Sequence, residues 1–202
     1  PYVEEGSEVR CIKCGQCVSF CPYGACGVES VPAVNVELSL MPKPEQAEMF
    51  LKSRRSVRMF RQEGLPREKS EALLAVANTA PTAGNTRVLR WIVIEDRDKL
   101  RKAGDLVADY FREEAGRLEE SAPKYADFMR KLVTAYENGK EVIFRGAPQL
   151  IAAAATSNYD WKMEVGVAAL TYLELAAYGY GVGMCWGGYF IIVARRDWPV
   201  QE

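Results

Sequence analysis

Cys11-Ile12-Lys13-Cys14-Gly15-Gln16-Cys17, followed by Cys21-Pro22, sets the terms on which the rest of the chain is read. Five of the six cysteines lie between residues 11 and 26, so thiol chemistry is concentrated at one end of the sequence. Two-residue gaps in a tight loop carry three thiolates to successive corners of one iron–sulfur cube. Gly15 has no Cβ, which lets backbone N–H groups come close to the inorganic sulfur. Pro22 fixes the backbone as the chain leaves the cluster. Zinc sites usually split their cysteines into two pairs well apart in sequence, and disulfides need an oxidising compartment that nothing else here suggests. The spacing therefore favours a [4Fe–4S] site with Cys11, Cys14, Cys17 and Cys21 as ligands.

The C-x₂-C-x₂-C-x₃-C-P run resembles that of bacterial ferredoxins, in whose two-cluster forms the fourth cysteine serves the other cluster. On that basis three of these thiols belong to one cube and the fourth to another. Cys26, or a second run upstream of Pro1, is expected to complete the set, and a chain that opens without Met is expected to be part of a longer protein. Cys185 stands far off in an apolar, aromatic stretch and reads as a small buried hydrophobe.

Composition narrows the function classes. The chain has 202 residues, 49% of them hydrophobic, enough for one medium domain plus a small appendage. A net charge of −1 leaves no basic excess for nucleic acid. No apolar run approaches the roughly 18 residues of a membrane span. Cysteines meant for iron fit a reducing cytoplasm. Histidine is absent, which removes Ser-His-Asp chemistry, His-ligated metals and a His base, so protons for any reaction are expected from solvent.

Residues 1–41 are short and cysteine-dense, too small to bury a sizeable core without the cluster's help. Met41-Pro42-Lys43-Pro44 reads as a linker, which gives domains over 1–41 and 42–202. A helix is expected from Pro44, with Glu45 and Glu48 near the positive end of its dipole. Another is expected from Pro66, burying Leu73, Val76, Ala77 and Ala80 and stopping before Pro81. Val88–Glu95 reads as a strand. Two charged helices follow, the second with Tyr125, Phe128, Met129, Leu132, Val133 and Tyr136 on one stripe. Gln149–Ala155 reads as a buried strand. Trp161–Tyr180 reads as a helix apolar nearly all round, as if central in the fold or buried between subunits. By pattern alone, Phe190–Ala194 reads as a strand.

If Arg54-Arg55-Ser56-Val57-Arg58 is extended, Arg54, Ser56 and Arg58 project on one side. Guanidinium forks and a hydroxyl on one face suit a phosphate dianion. Asn85 in Ala80-Pro81-Thr82-Ala83-Gly84-Asn85-Thr86-Arg87 offers a donor and an acceptor. Gly187 and Gly188 in Gly183-Met184-Cys185-Trp186-Gly187-Gly188-Tyr189 allow close approach to the backbone. Gly179, Gly181 and Gly183 miss the G-x-G-x-x-G spacing and follow a helix, so no dedicated nicotinamide site is visible.

These segments, in this order and spacing, resemble the FMN-dependent nitroreductase family over about residues 45–202, in its ferredoxin-fused branch. The resemblance implies an α/β (α+β) fold whose central, mostly antiparallel sheet is flanked by helices, with a small ferredoxin-like domain at the N-terminus. It implies FMN held by Arg54, Arg55, Ser56, Arg58, Asn85, Arg87, Gly187 and Gly188, with the phosphate near Arg54 and Ser56 and the pyrimidine edge near Arg58. It implies helix, not strand, after Gly187, and a homodimer with FMN at the subunit interface. Arg87 stands where many members carry Gln, and the family's C-terminal basic residue would fall beyond Gln201-Glu202. The implied function is an oxidoreductase that passes electrons from the cluster to FMN and on to a small electrophilic acceptor such as a nitroaromatic or quinone, supplied by a ferredoxin or NAD(P)H-linked donor. The alternative from another class is an electron-transfer or redox-sensing module that turns over no small molecule.

Overall fold

The computed structural model describes residues 6, 10–21, 23, 25–28, 37–156 and 158–196. Pro1, Pro22, Gln201 and Glu202 lie outside the described residues. A single helical turn, α1 (Gln16–Ser19), sits inside the cysteine run. After a 3₁₀ turn at Leu38–Leu40 comes α2 (Pro44–Ser53), whose first turn is set by Pro44 and by the Lys43 N–H donating to the Gln46 side chain at 2.9 Å. Next are α3 (Arg67–Ala77), a 3₁₀ turn at Ala83–Asn85 and strand β1 (Arg90–Ile94). The long α4 (Arg97–Arg117) is capped by Asp96, whose carboxylate accepts from Lys99 N–H at 2.9 Å. The chain closes with α5 (Pro123–Glu137), β2 (Leu150–Ala154), α6 (Lys162–Gly179) and α7 (Gly188–Ala194).

Among the described residues the sheet has two strands, paired antiparallel from Arg90 opposite Ala154 to Ile94 opposite Leu150. Helices supply most of the burial, in two clusters. One joins Val107 and Phe111 of α4 to Met129, Leu132 and Val133 of α5, with Val193 of α7. The other joins Leu73 and Ala77 of α3 to Leu173 and Ala177 of α6, with Trp91 and Ile151 of the sheet packed against it.

Three expectations shift. The strand suggested by the pattern Phe190–Ala194 is helix, as the family resemblance implied; Val193 reaches the α4–α5 core, and Tyr189 meets Phe111 edge-on at 5.7 Å. Helical spacing carries these side chains to one core, where a strand would have turned half of them away. On α3 the buried seam is Ser70, Leu73 and Ala77, and Val76 lies outside it. On α5, Tyr125 and Phe128 are exposed and stack on each other at 6.2 Å, leaving Ala126, Met129, Leu132 and Val133 as the seam. Helix α6 fills its predicted span. It buries Val165, Ala169, Leu173 and Ala177 and exposes Met163, Val167, Tyr172 and Tyr178.

Candidate functional site

Residues 54–58 follow α2 without regular secondary structure and are fastened to the Gly-rich turn before α7. Val57 N–H donates to the Met184 carbonyl at 2.9 Å. A Cβ on Gly183 would lie 2.8 Å from a Val57 methyl, so only glycine lets these two segments meet. Across this junction opens a cavity of about 330 Å³, within the range of small-molecule sites. Ser56, Arg58, Arg145, Trp186, Gly187 and Gly188 are among the residues that line it, with Phe144, Leu150 and Cys185.

The chemistry of this wall is one-sided. Two guanidinium groups line it and no carboxylate does, which suits an anionic ligand. Gly188 N–H donates to the Trp186 carbonyl at 3.0 Å, whereas Gly187 N–H has no hydrogen-bond partner among the described residues. A Cβ on Gly188 would meet nothing within 4 Å, so the backbone is open there. Phosphate-bearing, planar FMN fits such a donor set. Arg145 was not singled out from the sequence. Its left-handed backbone (φ 56°), next to Gly146 at φ 69°, is the kind of irregularity that clusters at ligand sites, but no sequence pattern marks it.

Of the residues expected to bind the cofactor, Ser56, Arg58, Gly187 and Gly188 meet at this cavity, while Arg54, Arg55, Asn85 and Arg87 are not on its wall. Arg54 turns to Glu174 of α6, with Nη1 3.1 Å from Oε1. Arg55 folds back on the end of α2, donating to the carbonyls of Lys52 and Arg54 at 2.7 and 2.8 Å. Glu174 is a second residue the sequence reading passed over. Its signal was available, because with Lys162 and Glu164 it is one of the few charges on an apolar helix.

Asn85 sits elsewhere, on the cysteine loop. Its Nδ2 donates to the carbonyls of Ile12 and Lys13 at 3.0 and 2.8 Å, between Cys11 and Cys14. Gly84, Asn85 and Arg87 all have positive φ (60°, 55° and 47°), a conformation Asn tolerates better than most residues. The turn is braced by Thr86 Oγ1 donating to the Tyr159 hydroxyl at 3.0 Å, and by Arg87 N–H donating to Thr82 Oγ1 at 3.2 Å. Arg87 Nε also donates to Asn85 Oδ1 at 3.4 Å.

In the cysteine run, Cys11, Cys14 and Cys17 are exposed, and Cys21 and Cys26 are half-buried. Gly15, at φ 74°, makes the turn into α1 that the spacing called for. Among the described residues no three potential ligands converge. The donor chemistry nevertheless suits iron. The Cys21 thiol is held below the ordinary thiol value, first by the backbone N–H of Tyr23 and then by that of Ala25, which donates to Sγ at 3.3 Å. Such N–H donors favour the thiolate, the form that ligates. Cys26 is pushed up, first by its hydrogen bond to Cys21 and then by burial. Cys185 lines the cavity, half-buried, so it is not the inert core residue expected.

Two family models match the chain. The model of the nitroreductase family matches residues 51–201, and that of the 4Fe-4S binding domain matches residues 7–26. Nitroreductase NfnB of Mycolicibacterium smegmatis is 28% identical over 167 residues, spanning 70% of each chain. A nitroreductase with bound FMN from Bacteroides fragilis has the same fold, with TM-score 0.62 at 18% identity over 77% of this chain and 76% of that one. The FMN-dependent nitroreductase NfnB from Mycobacterium smegmatis, solved in complex with NADPH, gives TM-score 0.50 at 26% identity over 69% and 72% of the two chains. No helix among the described residues is long and apolar enough to cross a membrane. With its match over three quarters of the sequence and its fold shared with solved members, the chain belongs to the nitroreductase family, and it carries a 4Fe-4S binding motif at its N-terminal end.

Proposed function

We propose that this chain is an FMN-dependent, nitroreductase-like oxidoreductase of the cytoplasm. Residues 1–41 would hold [4Fe–4S] iron through Cys11, Cys14, Cys17 and Cys21, and residues 42–202 would hold FMN. When bound, the cluster would supply one-electron chemistry and the flavin would supply reduction of a small electrophilic acceptor, a nitroaromatic or a quinone. Supporting this reading above all is the meeting of Ser56, Arg58, Gly187 and Gly188 at one carboxylate-free cavity.

The protein's own groups have distinct tasks in this scheme. Ser56, on the cavity wall, would donate its hydroxyl to a phosphate oxygen. Arg58, on the cavity wall, would stand beside the pyrimidine edge of the ring, where a fixed positive charge would favour the anionic reduced form. Gly187 would offer its unpartnered N–H to a ring acceptor, and Trp186 and Leu150 line the cavity beside it. Arg54, paired with Glu174 beside the cavity, would hold a phosphate oxygen with its remaining N–H groups, while Asn85 and Arg87 belong to a loop bonded to the cysteine run. The exposed apolar face of α6 supports a homodimer, and the electron donor would be a ferredoxin or an NAD(P)H-linked protein.

The test is an anaerobic preparation with flavin, iron and acid-labile sulfide counted per chain. Reduced protein is then mixed with nitroaromatics and quinones. Flavin-loaded protein that no small acceptor reoxidises would replace the enzyme with an electron-transfer module. Arg54→Ala with Ser56→Ala should lower flavin retention, each charged contact being worth about 1.5–3 kcal/mol; unchanged occupancy would refute the phosphate assignment.

A further inference from the structure

Helix α6 carries an acid where its surroundings call for an apolar residue. Glu174 lies one residue from buried Leu173 and three from buried Ala177, and its side chain is only 10% exposed. Burying a carboxylate is costly unless both oxygens find donors, and here each finds one. Oε1 accepts from Arg54 Nη1 at 3.1 Å, and Oε2 accepts from Trp186 Nε1 at 3.1 Å.

The two donors come from opposite sides of the junction described above. Arg54 begins the 54–58 segment, and Trp186 ends the Gly-rich turn. We propose that Glu174 is a positioning residue for phosphate recognition. From behind the site it orients the Arg54 guanidinium toward a phosphate monoester and at the same time holds Trp186 in the cavity wall. This inference rests on the flavin reading proposed above and names what that reading lacks, the residue that fixes Arg54.

Geometry supports a role in orientation over simple core packing. Arg54 uses only one end of its fork on Glu174. Its other N–H groups have no protein partner among the described residues, and its side chain is 41% exposed. A guanidinium tethered at one end and open at the other has already lost the side-chain entropy that capturing an anion would otherwise cost. A packing role alone would be served better by Leu or Met, which carry no charge to desolvate.

Riboflavin has the same ring as FMN without the phosphate, so the pair separates phosphate recognition from ring recognition. The full chain is titrated with each flavin by fluorescence quenching, as wild type and as Glu174→Gln, Arg54→Gln and the double variant. The wild type should prefer FMN. Glu174→Gln should lose roughly tenfold of that preference, the effect of one charged hydrogen bond, with riboflavin affinity unchanged. The double variant should lose no more than Arg54→Gln alone, because the two residues act as a unit. Unchanged FMN preference in Glu174→Gln, additive losses in the double variant, or tighter FMN binding once Arg54 is released would each overturn the inference. If Glu174→Gln does not fold, Arg54→Gln with an unchanged FMN preference overturns it. Wild-type protein that binds neither flavin overturns the proposed function, and this inference with it.

Discussion

The cysteine run and the helical domain are held together by different means. Between residues 10 and 28, Val18 is the one buried hydrophobic side chain among the described residues, and three of the five thiols there are exposed. From residue 44 onward, Phe111, Leu73, Met129, Leu173, Val107 and Val193 are almost wholly excluded from solvent, in two clusters that need no ligand to form. A helical domain of this kind is stable by apolar burial, while a short loop with one buried valine must draw its stability from metal–ligand bonds or from what it leans on. The structure shows what it leans on, the Asn85 side chain.

The sharpest way to break this comparison is to disable each region separately. Cys14→Ser should abolish bound iron and sulfide, measured chemically per chain, while the thermal transition of the helical domain persists. Phe111→Ala should do the reverse. It should destabilise the domain by about 3–5 kcal/mol in denaturant titration, with iron per folded chain unchanged. A Cys14→Ser chain whose helical domain fails to fold would show that the two regions are one cooperative unit. A smaller effect tests the contact between them. Asn85→Ala removes two hydrogen bonds to the cysteine loop and should speed tryptic cleavage after Lys13 by roughly tenfold, at about 0.5–1.5 kcal/mol per bond. Cleavage at the parental rate would mean that the loop is held by something other than Asn85.

The smallest effect lies wholly inside the domain. Burial first, and Asp105 second, push the Tyr136 phenol up to about 12. Its hydroxyl bonds to Asp105 Oδ1 at 2.9 Å and to the Arg101 carbonyl at 3.2 Å. A raised phenol favours the neutral form in the folded chain. Its stabilisation is therefore complete below pH ~10, the unfolded value, and fades as pH rises toward 12. The stability gap between the parent and Tyr136→Phe should narrow over that window and stay constant from pH 7 to 9. Denaturant titrations at those pH values check the sign, and iron content should not respond.

Where local chemistry decided the outcome, the sequence was readable. Pro44 began a helix, Lys162–Gly179 matched the apolar stretch almost to the residue, and Gly15 made the turn between cysteines. Where distant contacts decided it, the pattern misled. Phe190–Ala194 is a continuous apolar, β-branched run that reads as a strand, but it coils because a core made by α4 and α5 lies beside it. The site was half legible. Glycines and a serine announce themselves through what they permit or donate, and Ser56, Gly187 and Gly188 line the cavity together with Arg58. An arginine's destination depends on which acid it meets, and no local rule sends Arg54 across 120 residues to Glu174. Arg145 reached the cavity through a backbone conformation that no motif encodes.

Helix α6 has one further consequence. The same helix that fastens Arg54 and Trp186 through Glu174 turns Met163, Val167, Tyr172 and Tyr178 outward. In the homodimer and phosphate-positioning scheme proposed above, a second subunit packed against these side chains would press on the helix that carries Glu174, and assembly would then be thermodynamically linked to cofactor occupancy. Linkage is reciprocal. Diluting the protein should loosen its flavin, and supplying flavin should hold the subunits together, by the same factor in each direction.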